Sequence, residues 1–194
     1  FGWSFNELLP YFKRSENHEQ IGLMDSGYHS SSGELGVTIP TRFQTPFVDG
    51  FIEACAAIGI PKNLDYNGKI QEGASLVQST IKKGKRESGA TAFLKPALKR
   101  HNLTAITNAS VDKIILEGEN AVGVQYKKGG KTIQVYGQKE IILSAGTFKS
   151  PQLLMLSGIG ELSELKNHGI HCIHELKGVG KNLQDHLFYP ICAQ

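Results

Sequence analysis

The chain has few cysteines and no long apolar run, and both absences narrow what it can be. Its 194 residues include three cysteines, Cys55, Cys172 and Cys192, and no two have C-x-x-C spacing. An odd number without paired spacing implies no disulfide framework. No apolar stretch approaches the roughly 20 residues of a membrane-spanning helix, and no secretory signal is visible at the start. We therefore predict a globular chain without a membrane span.

A strong charge of either sign is also lacking. The formal net charge is +3, the isoelectric point is about 8.7, and 20% of the residues are charged. So small a net charge does not predict a nucleic-acid partner. The densest basic run, Lys-Lys-Gly-Lys-Arg at residues 82–86, is interpreted as the solvated tip of a hairpin.

The two ends suggest that the chain is the middle of a longer protein. Residue 1 is phenylalanine, and a helix signal follows within three residues. The last residue, Gln194, follows an apolar run that has no stop signal. We therefore expect an internal segment, and we expect it to be inactive by itself.

Local patterns predict mixed α/β structure. Ser4 and Glu7 form a capping box that opens a helix, and Pro10 is expected to bend or shorten it. Thr45-Pro46 opens a second helix that Gly59 ends, and shorter helices follow Ser88 and Gly160. Strands are predicted at residues 34–40, 76–82, 103–107, 111–116, 122–126, 132–136, 140–143 and 170–176. The glycine pair at 129–130 predicts a hairpin, so the later strands form a β-meander.

The most informative stretch runs from residue 141 to residue 160. It begins Ile-Ile-Leu-Ser-Ala-Gly, which indicates a buried strand ending in small residues. Ser150 and Pro151 suit the start of a helix, and Gly158 suits its end. A strand, a tight turn and a helix N-terminus together are typical of places where a ligand's phosphates or ring approach the backbone.

This stretch also resembles the second signature of the glucose–methanol–choline (GMC) oxidoreductases, a family of FAD-dependent enzymes. The matching residues are Gly146, Thr147, Ser150, Pro151, Leu154, Met155, Ser157, Gly158, Ile159 and Gly160. Three more segments resemble family blocks in the same order: residues 2–16, residues 86–96 and residues 178–186. The resemblance covers nearly the whole chain and favours the insect glucose-dehydrogenase-like members.

The resemblance implies part of a Rossmann-like FAD-binding domain with a β-meander, plus part of an antiparallel-sheet substrate domain. It assigns residues 1–194 to the N-terminal FAD-binding region, with 22–85 mainly in the substrate domain and 101–160 mainly in the FAD domain. The family's pyrophosphate loop would lie upstream of residue 1, because neither Gly178-Val-Gly180 nor Gly158-Ile-Gly160 suits that role.

The resemblance also implies which residues contact FAD. The small-residue turn would lie beside the cofactor, and a larger side chain at Gly146 would collide with it. The main chain of Val111 would contact adenine, and Asn182, Asp185 and His186 would lie near the flavin. The predicted cofactor-binding residues are Val111, Ser144, Ala145, Gly146, Asn182, Asp185 and His186. Without the resemblance, Asn182 is interpreted as a turn residue and Asp185–His186 as a surface pair.

The activity implied is oxidation of a CH–OH group in a small alcohol or sugar, with hydride transfer to flavin N5 and a quinone or oxygen as final acceptor. The family's catalytic histidine would lie beyond Gln194, so no catalytic residue is predicted here. Two alternatives stay open: a hydroxynitrile-lyase-like enzyme that keeps FAD, and a non-catalytic binding protein built on the same scaffold. A secreted location is expected by family analogy only. His168, His171, Cys172 and His174 fit no zinc spacing, and no metal site is predicted.

Overall fold

A computed structural model describes residues 2–25, 27–41 and 45–190. The chain divides into two compact units, residues 1–105 (unit 1) and residues 106–194 (unit 2). The division at residues 105/106 falls near the start of the segment 101–160 that is expected to belong mainly to the FAD domain, and the domain assignment stays a prediction. Helices and small sheets occur in both units, so the mixed α/β class is confirmed. Within the described part of the chain, no helix has the length and apolar character needed to cross a membrane.

Two helices of unit 1 begin where the sequence predicts. Helix α1 spans Phe5–Ser15, and the Glu7 carboxylate accepts hydrogen bonds from the Ser4 N–H (3.0 Å) and the Ser4 hydroxyl (2.7 Å). These bonds, with one from the N–H of Gly2, lower the pKa of Glu7. Pro10 does not end α1, because the helix continues for five more residues. Helix α2 spans Pro46–Ala57, and Gly59 follows it with φ of +90°.

The strands of unit 1 are short. Strand β1 (Glu16–His18) pairs in parallel with β2 (Leu35–Val37). Strands β3 (Ile81–Lys82) and β4 (Lys85–Arg86) form an antiparallel hairpin. Lys83 and Gly84 between them both have positive φ, 52° and 73°, as a tight hairpin turn requires. The basic run is therefore a hairpin tip, as predicted.

Unit 1 also contains a single-turn 3-10 helix, Ile21–Leu23, and a π-helical turn, Ala90–Leu94, that continues into α3 (Lys95–Ala97). The hydroxyl of Ser88 accepts the N–H of Thr91 at 3.2 Å. Ser88 thus caps this helical segment, as its position in the sequence predicts.

Unit 2 is built on a three-stranded antiparallel meander. Strand β5 (Ser110–Glu117) pairs with β6 (Asn120–Lys128), which pairs with β7 (Lys131–Tyr136). Gly129 and Gly130 between β6 and β7 have φ of +56° and +75°. The hairpin predicted from this glycine pair is confirmed.

Two helices and a small parallel sheet complete unit 2. Helix α4 spans Gly146–Leu156 and α5 spans Leu162–Asn167, while β8 (Ile159–Gly160) pairs in parallel with β9 (His174–Glu175). The apolar core of this unit is contributed by β5, β6, α4, α5 and the turn before residue 180. Its buried apolar side chains are Ile114, Tyr126, Leu153, Leu165 and Val179.

Several predicted strands are absent or shorter than expected. Residues 103–107 and 140–143 form no strand, only 81–82 of 76–82 and 174–175 of 170–176 do, and 34–40 is reduced to 35–37. Ile142, predicted to lie in a buried strand, is 81% exposed. A strand requires a neighbour to accept its backbone hydrogen bonds, and no described segment pairs with 140–143. An apolar β-branched pattern alone does not supply that neighbour.

Candidate functional site

The small-residue turn Ser144–Gly146 joins an irregular segment to helix α4. Gly146, the first residue of α4, has φ of +89°, a conformation that only glycine adopts at little cost. No described atom lies within 4 Å of the position that a Cβ at Gly146 would take. All three residues of the turn are exposed. The backbone of the turn is therefore accessible to a ligand, next to the positive end of a helix dipole.

Helix α4 begins at Gly146, five residues earlier than the start at Pro151 that the sequence predicts. Ser150 lies inside the helix, where its hydroxyl accepts the N–H of Ala145 at 3.0 Å and so holds the turn against the first helical residues. Pro151 is also inside the helix and has no N–H to donate to the carbonyl of Thr147. The predicted end is confirmed: Gly158 follows α4 with φ of +85°, and a Cβ there would lie 2.6 Å from the carbonyl oxygen of His171.

Val111 lies on β5, an edge strand of the meander, beside a β-bulge. Val111 pairs with Tyr126 and Lys113 pairs with Gln125, so Asp112 is the extra residue. A bulge leaves the extra residue outside the ladder and locally bends the strand. The backbone around Val111 therefore has polar groups that are not committed to the sheet.

Val111 and Ala145 line the same groove, of about 710 Å³. The structure thus brings together a residue predicted to contact adenine and a residue of the small-residue turn. Its polar walls come from side chains that the sequence analysis did not single out: Asp112, Gln125, Lys127, Lys149 and Gln152. Lys127 forms an ion pair with Asp112 at 3.7 Å, which leaves Lys149 and the N-terminus of α4 to favour a ligand that carries negative charge. A dinucleotide carries such a charge on its pyrophosphate.

A buried serine fixes the two walls of this groove to each other. The Ser157 hydroxyl accepts the N–H of Ile114 on β5 at 2.8 Å and donates to the carbonyl of Leu153 on α4 at 2.5 Å. All three residues are buried. The Ser157 hydroxyl therefore links strand β5 to helix α4 through two buried hydrogen bonds. The sequence showed Ser157 only as a signature residue.

Asn182 lies in a second cavity that α4 also lines. This cavity, of about 1,210 Å³, is lined as well by Thr147, Phe148, Met155 and Gly180. Asn182 has φ of +56°, the left-handed conformation that asparagine tolerates better than most residues. It follows the turn at residues 177–180 and does not lie within it, and its contact with a cofactor stays a prediction.

An exposed ion-pair cluster ties the segment that contains Asn182 to helix α5. The ammonium of Lys181 lies 2.8 Å from a carboxylate oxygen of Glu164 and 3.3 Å from one of Glu161. Its hydrogen bond to Glu164 raises the pKa of Lys181, and the hydrogen bond from Lys181 lowers the pKa of Glu161. Val179, buried two residues earlier, anchors the same segment from the apolar side.

Asp185 and His186 lie in an exposed segment without regular structure. Their printed contact is local: the N–H of His186 donates to the Asp185 carboxylate at 2.8 Å. This is the surface pair that the residues alone suggest. Of the seven predicted cofactor-binding residues, the structure places Val111 with Ala145 in one groove and Asn182 in another, and their contact with a cofactor stays a prediction.

The histidine-rich segment 168–174 contributes one ion pair, between His174 and Glu119 at 3.6 Å. In the portion of the chain that the structure describes, no three histidine, cysteine or carboxylate side chains converge as metal ligands would.

Comparison with known proteins gives the same assignment along almost the whole chain. The family model described as GMC oxidoreductase matches residues 1–188. Human mitochondrial choline dehydrogenase is 45% identical over 186 residues, which is 96% of this chain and 31% of that protein. The oxygen-dependent choline dehydrogenase of Photobacterium profundum is 42% identical over 197 residues, 100% of this chain and 34% of that protein. The chain therefore spans about a third of the length of these relatives.

Solved structures agree with the fold. Formate oxidase from Aspergillus oryzae superposes with a TM-score of 0.84 at 27% identity, over 96% of this chain and 33% of that one. An FAD-dependent oxidoreductase from Chaetomium thermophilum gives a TM-score of 0.81 at 30% identity, over 95% of this chain and 34% of that one.

The relatives at 42–45% identity are choline dehydrogenases, so the expected placement beside insect glucose-dehydrogenase-like proteins is corrected. That placement rested on blocks that are shared widely within the family, which cannot separate one branch from another. The chain belongs to the GMC oxidoreductase family and corresponds to part of its FAD-binding region.

Proposed function

We propose that this chain is the FAD-binding segment of an oxidoreductase that oxidises the CH–OH group of a small alcohol, and that choline is the first substrate to test. The observation that carries the proposal is the 42–45% identity to choline dehydrogenases over at least 96% of the chain. The groove between β5 and α4 supports it, because Lys149, the bulged strand edge and the open helix N-terminus suit a dinucleotide.

Each part of the site has a separate task in this proposal. When bound, FAD supplies the redox chemistry, by accepting hydride from the alcohol carbon. The chain's own residues hold it: the backbone beside Val111 takes the adenine end, and the Ser144–Gly146 turn allows close approach. Asn182 belongs to the flavin end. No residue of this chain is assigned as the base that removes the hydroxyl proton. The final electron acceptor, quinone or oxygen, is a separate reactant. The secreted location expected by analogy stays a prediction.

The test compares Gly146→Leu with Gly130→Leu. Both glycines have positive φ, +89° and +75°, and neither has an atom within 4 Å of an added Cβ. Backbone strain is therefore similar, but only Gly146 lies at the proposed cofactor site. Flavin absorbance should be retained in the Gly130 variant and lost in the Gly146 variant of the purified full-length protein.

Substrate turnover separates the remaining possibilities. Choline-dependent dye reduction by the flavin-containing protein supports the proposal. Bound flavin with turnover that needs no electron acceptor would favour the lyase alternative. Absence of flavin from well-folded wild type would contradict the proposal and favour a non-catalytic scaffold. Dye reduction by the isolated 194-residue chain would contradict the expectation that this segment alone is inactive.

A further inference from the structure

Unit 1 contains a buried histidine between two carboxylates. His29 is 5% exposed. Its Nδ1 lies 2.9 and 3.0 Å from the two carboxylate oxygens of Glu16, and its Nε2 lies 3.1 Å from the carboxylate of Asp65. Both ring nitrogens therefore face a carboxylate at hydrogen-bond distance.

Hydrogen-bond counting restricts the protonation of this histidine. A neutral imidazole has one N–H and one lone pair, whereas an ionised carboxylate can only accept. With two carboxylates in contact, a neutral ring would direct its lone pair at one of them. An imidazolium donates at both nitrogens and satisfies both partners, with the added strength of charge assistance.

The arrangement connects segments that are distant in sequence. Glu16 belongs to β1 and also accepts the N–H of Ser30 at 3.0 Å, while Asp65 accepts a hydrogen bond from Gln78 at 3.3 Å. Residues 16, 29, 65 and 78 are thereby joined in one network. Since β1 and β2 have only three residues each, these side-chain contacts add to the few backbone hydrogen bonds that hold the segments together.

A second buried histidine lies against the first. His18 is 1% exposed, its ring is 5.6 Å from that of His29, and its Nδ1 accepts the N–H of Gln20 at 3.1 Å. Its Nε2 is buried and has no hydrogen-bond partner. Burial lowers the pKa of His18, and the charge of His29 lowers it further against the opposing attraction of Glu16 and Asp65. The two rings thus suit opposite charge states, His18 neutral and His29 charged.

We propose that the folded chain holds His29 as a doubly protonated imidazolium between Glu16 and Asp65, so that removal of this one proton loosens unit 1 and leaves unit 2 intact. The titratable groups facing His29 are Glu16 and His18 from β1 and Asp65 from the 63–67 segment, and Tyr28 lines the adjoining cavity. Loss of the proton turns a lone pair toward a partly buried carboxylate, and this unfavourable contact weakens the network.

The first test measures the protonation directly in the wild-type chain. Histidine-selective nitrogen-15 NMR at about pH 7.5, roughly one unit above the ordinary histidine pKa of about 6.5, reports each ring nitrogen separately. Both ring nitrogens of His29 should carry a proton. A neutral tautomer of His29 at this pH would overturn the proposal.

The second test measures the consequence. Amide hydrogen exchange, corrected for its intrinsic pH dependence, should speed up in β1, β2 and the 63–67 segment once the pH removes the His29 proton, by as much as about tenfold for each further pH unit. Exchange in β5 and β6 should not change in this way. Equal responses of both units, or none, would overturn the proposal.

Variants link the response to His29 itself. His29→Gln carries no charge and has both of its donors on one nitrogen, so it cannot donate to Glu16 and Asp65 from two separate nitrogens as an imidazolium does. Amide exchange in β1 and β2 of this variant should therefore be fast at every pH. His101→Gln, at an exposed position, should behave as wild type. If His29→Gln does not fold, the NMR experiment on the wild-type chain still tests whether His29 is doubly protonated.

Discussion

The two units bury different chemistry. The described buried side chains of unit 1 are mostly polar or charged: His18, His29, Thr38 and Glu87, with Met24 and Ala92 as the apolar ones. Those of unit 2 are apolar except for Ser157, and they belong to longer elements. An apolar core depends little on pH, because its stabilisation comes from area removed from water. A core of histidines and carboxylates depends on protonation. We therefore expect one unit to respond mainly to volume changes and the other mainly to pH.

The largest effect should come from truncating the core of unit 2. Leu165 on α5 is fully buried, so Leu165→Ala should lower the free energy of unfolding by about 2–5 kcal/mol through lost burial and a residual cavity. Leu162 on the same helix is half exposed and provides the matched control, Leu162→Ala, with a much smaller loss. Denaturant unfolding at two pH values measures both. A strongly pH-dependent loss for Leu165→Ala would break the distinction between the units.

The helix ends of unit 2 provide the next test. Gly158→Ala and Gly169→Ala both place a side chain at positive φ, +85° and +69°. This conformation costs about 1–2 kcal/mol in each case. Only at Gly158 would the new Cβ lie 2.6 Å from a backbone oxygen, that of His171. Thermal unfolding should therefore show a clearly larger loss for Gly158→Ala, and equal losses would show that β8 and β9 shift freely.

The polar core of unit 1 should make its stability depend on pH through His18. Burial lowers the pKa of His18 below its ordinary value, so between the two values the unfolded chain binds more protons than the folded chain. Stability from this group is therefore complete above about pH 6.5 and decreases as the pH falls toward the folded-state pKa. His18→Asn keeps an acceptor for the N–H of Gln20 but cannot titrate. It should flatten the acid side of a stability–pH profile monitored by exchange in β1, and His101→Asn should not.

The smallest effect should come from the exposed ion pairs of unit 2. Lys181→Met removes the contacts to Glu161 and Glu164, which are solvated and therefore weak. We expect a small loss of stability that disappears in about 1 M salt, where the Debye length is about 3 Å. Glu16→Gln, which alters a partly buried partner of the buried His29, should keep its effect in salt. A salt-resistant Lys181→Met effect would contradict the contrast between exposed and buried charge.

Part of the fold was predictable because its signals are local. The capping box at Ser4 and Glu7, the hairpin glycines 129–130 and the stop at Gly158 each act through neighbours a few residues away. The segment 140–143 shows the limit of such signals. Its apolar pattern suits a strand, but a strand also requires a partner, and the described chain offers none.

The candidate site also has some features that the sequence predicts and others that only the tertiary structure shows. The turn Ser144–Gly146 and the left-handed Asn182 follow from residue types that tolerate unusual backbone angles. The groove that joins Val111 to Ala145 does not, since it depends on the bulge in β5 and on the hydrogen bond from Ile114 to Ser157. Lys127 and Lys149 likewise looked like ordinary surface residues until β6 and α4 placed them along one groove.

The sequence by itself determined the family, the β-meander, the helix boundaries set by caps and glycines, and the residue types that a nucleotide can approach. These properties lie in short motifs whose physics is complete within a turn or a hairpin. Only the tertiary structure decided that His29 would stand between Glu16 and Asp65, that His18 would be buried without a partner for Nε2, and that unit 1 would have a polar core. Those contacts join residues 13 to 36 positions apart, and no local pattern encodes a distance of 3 Å across such a separation.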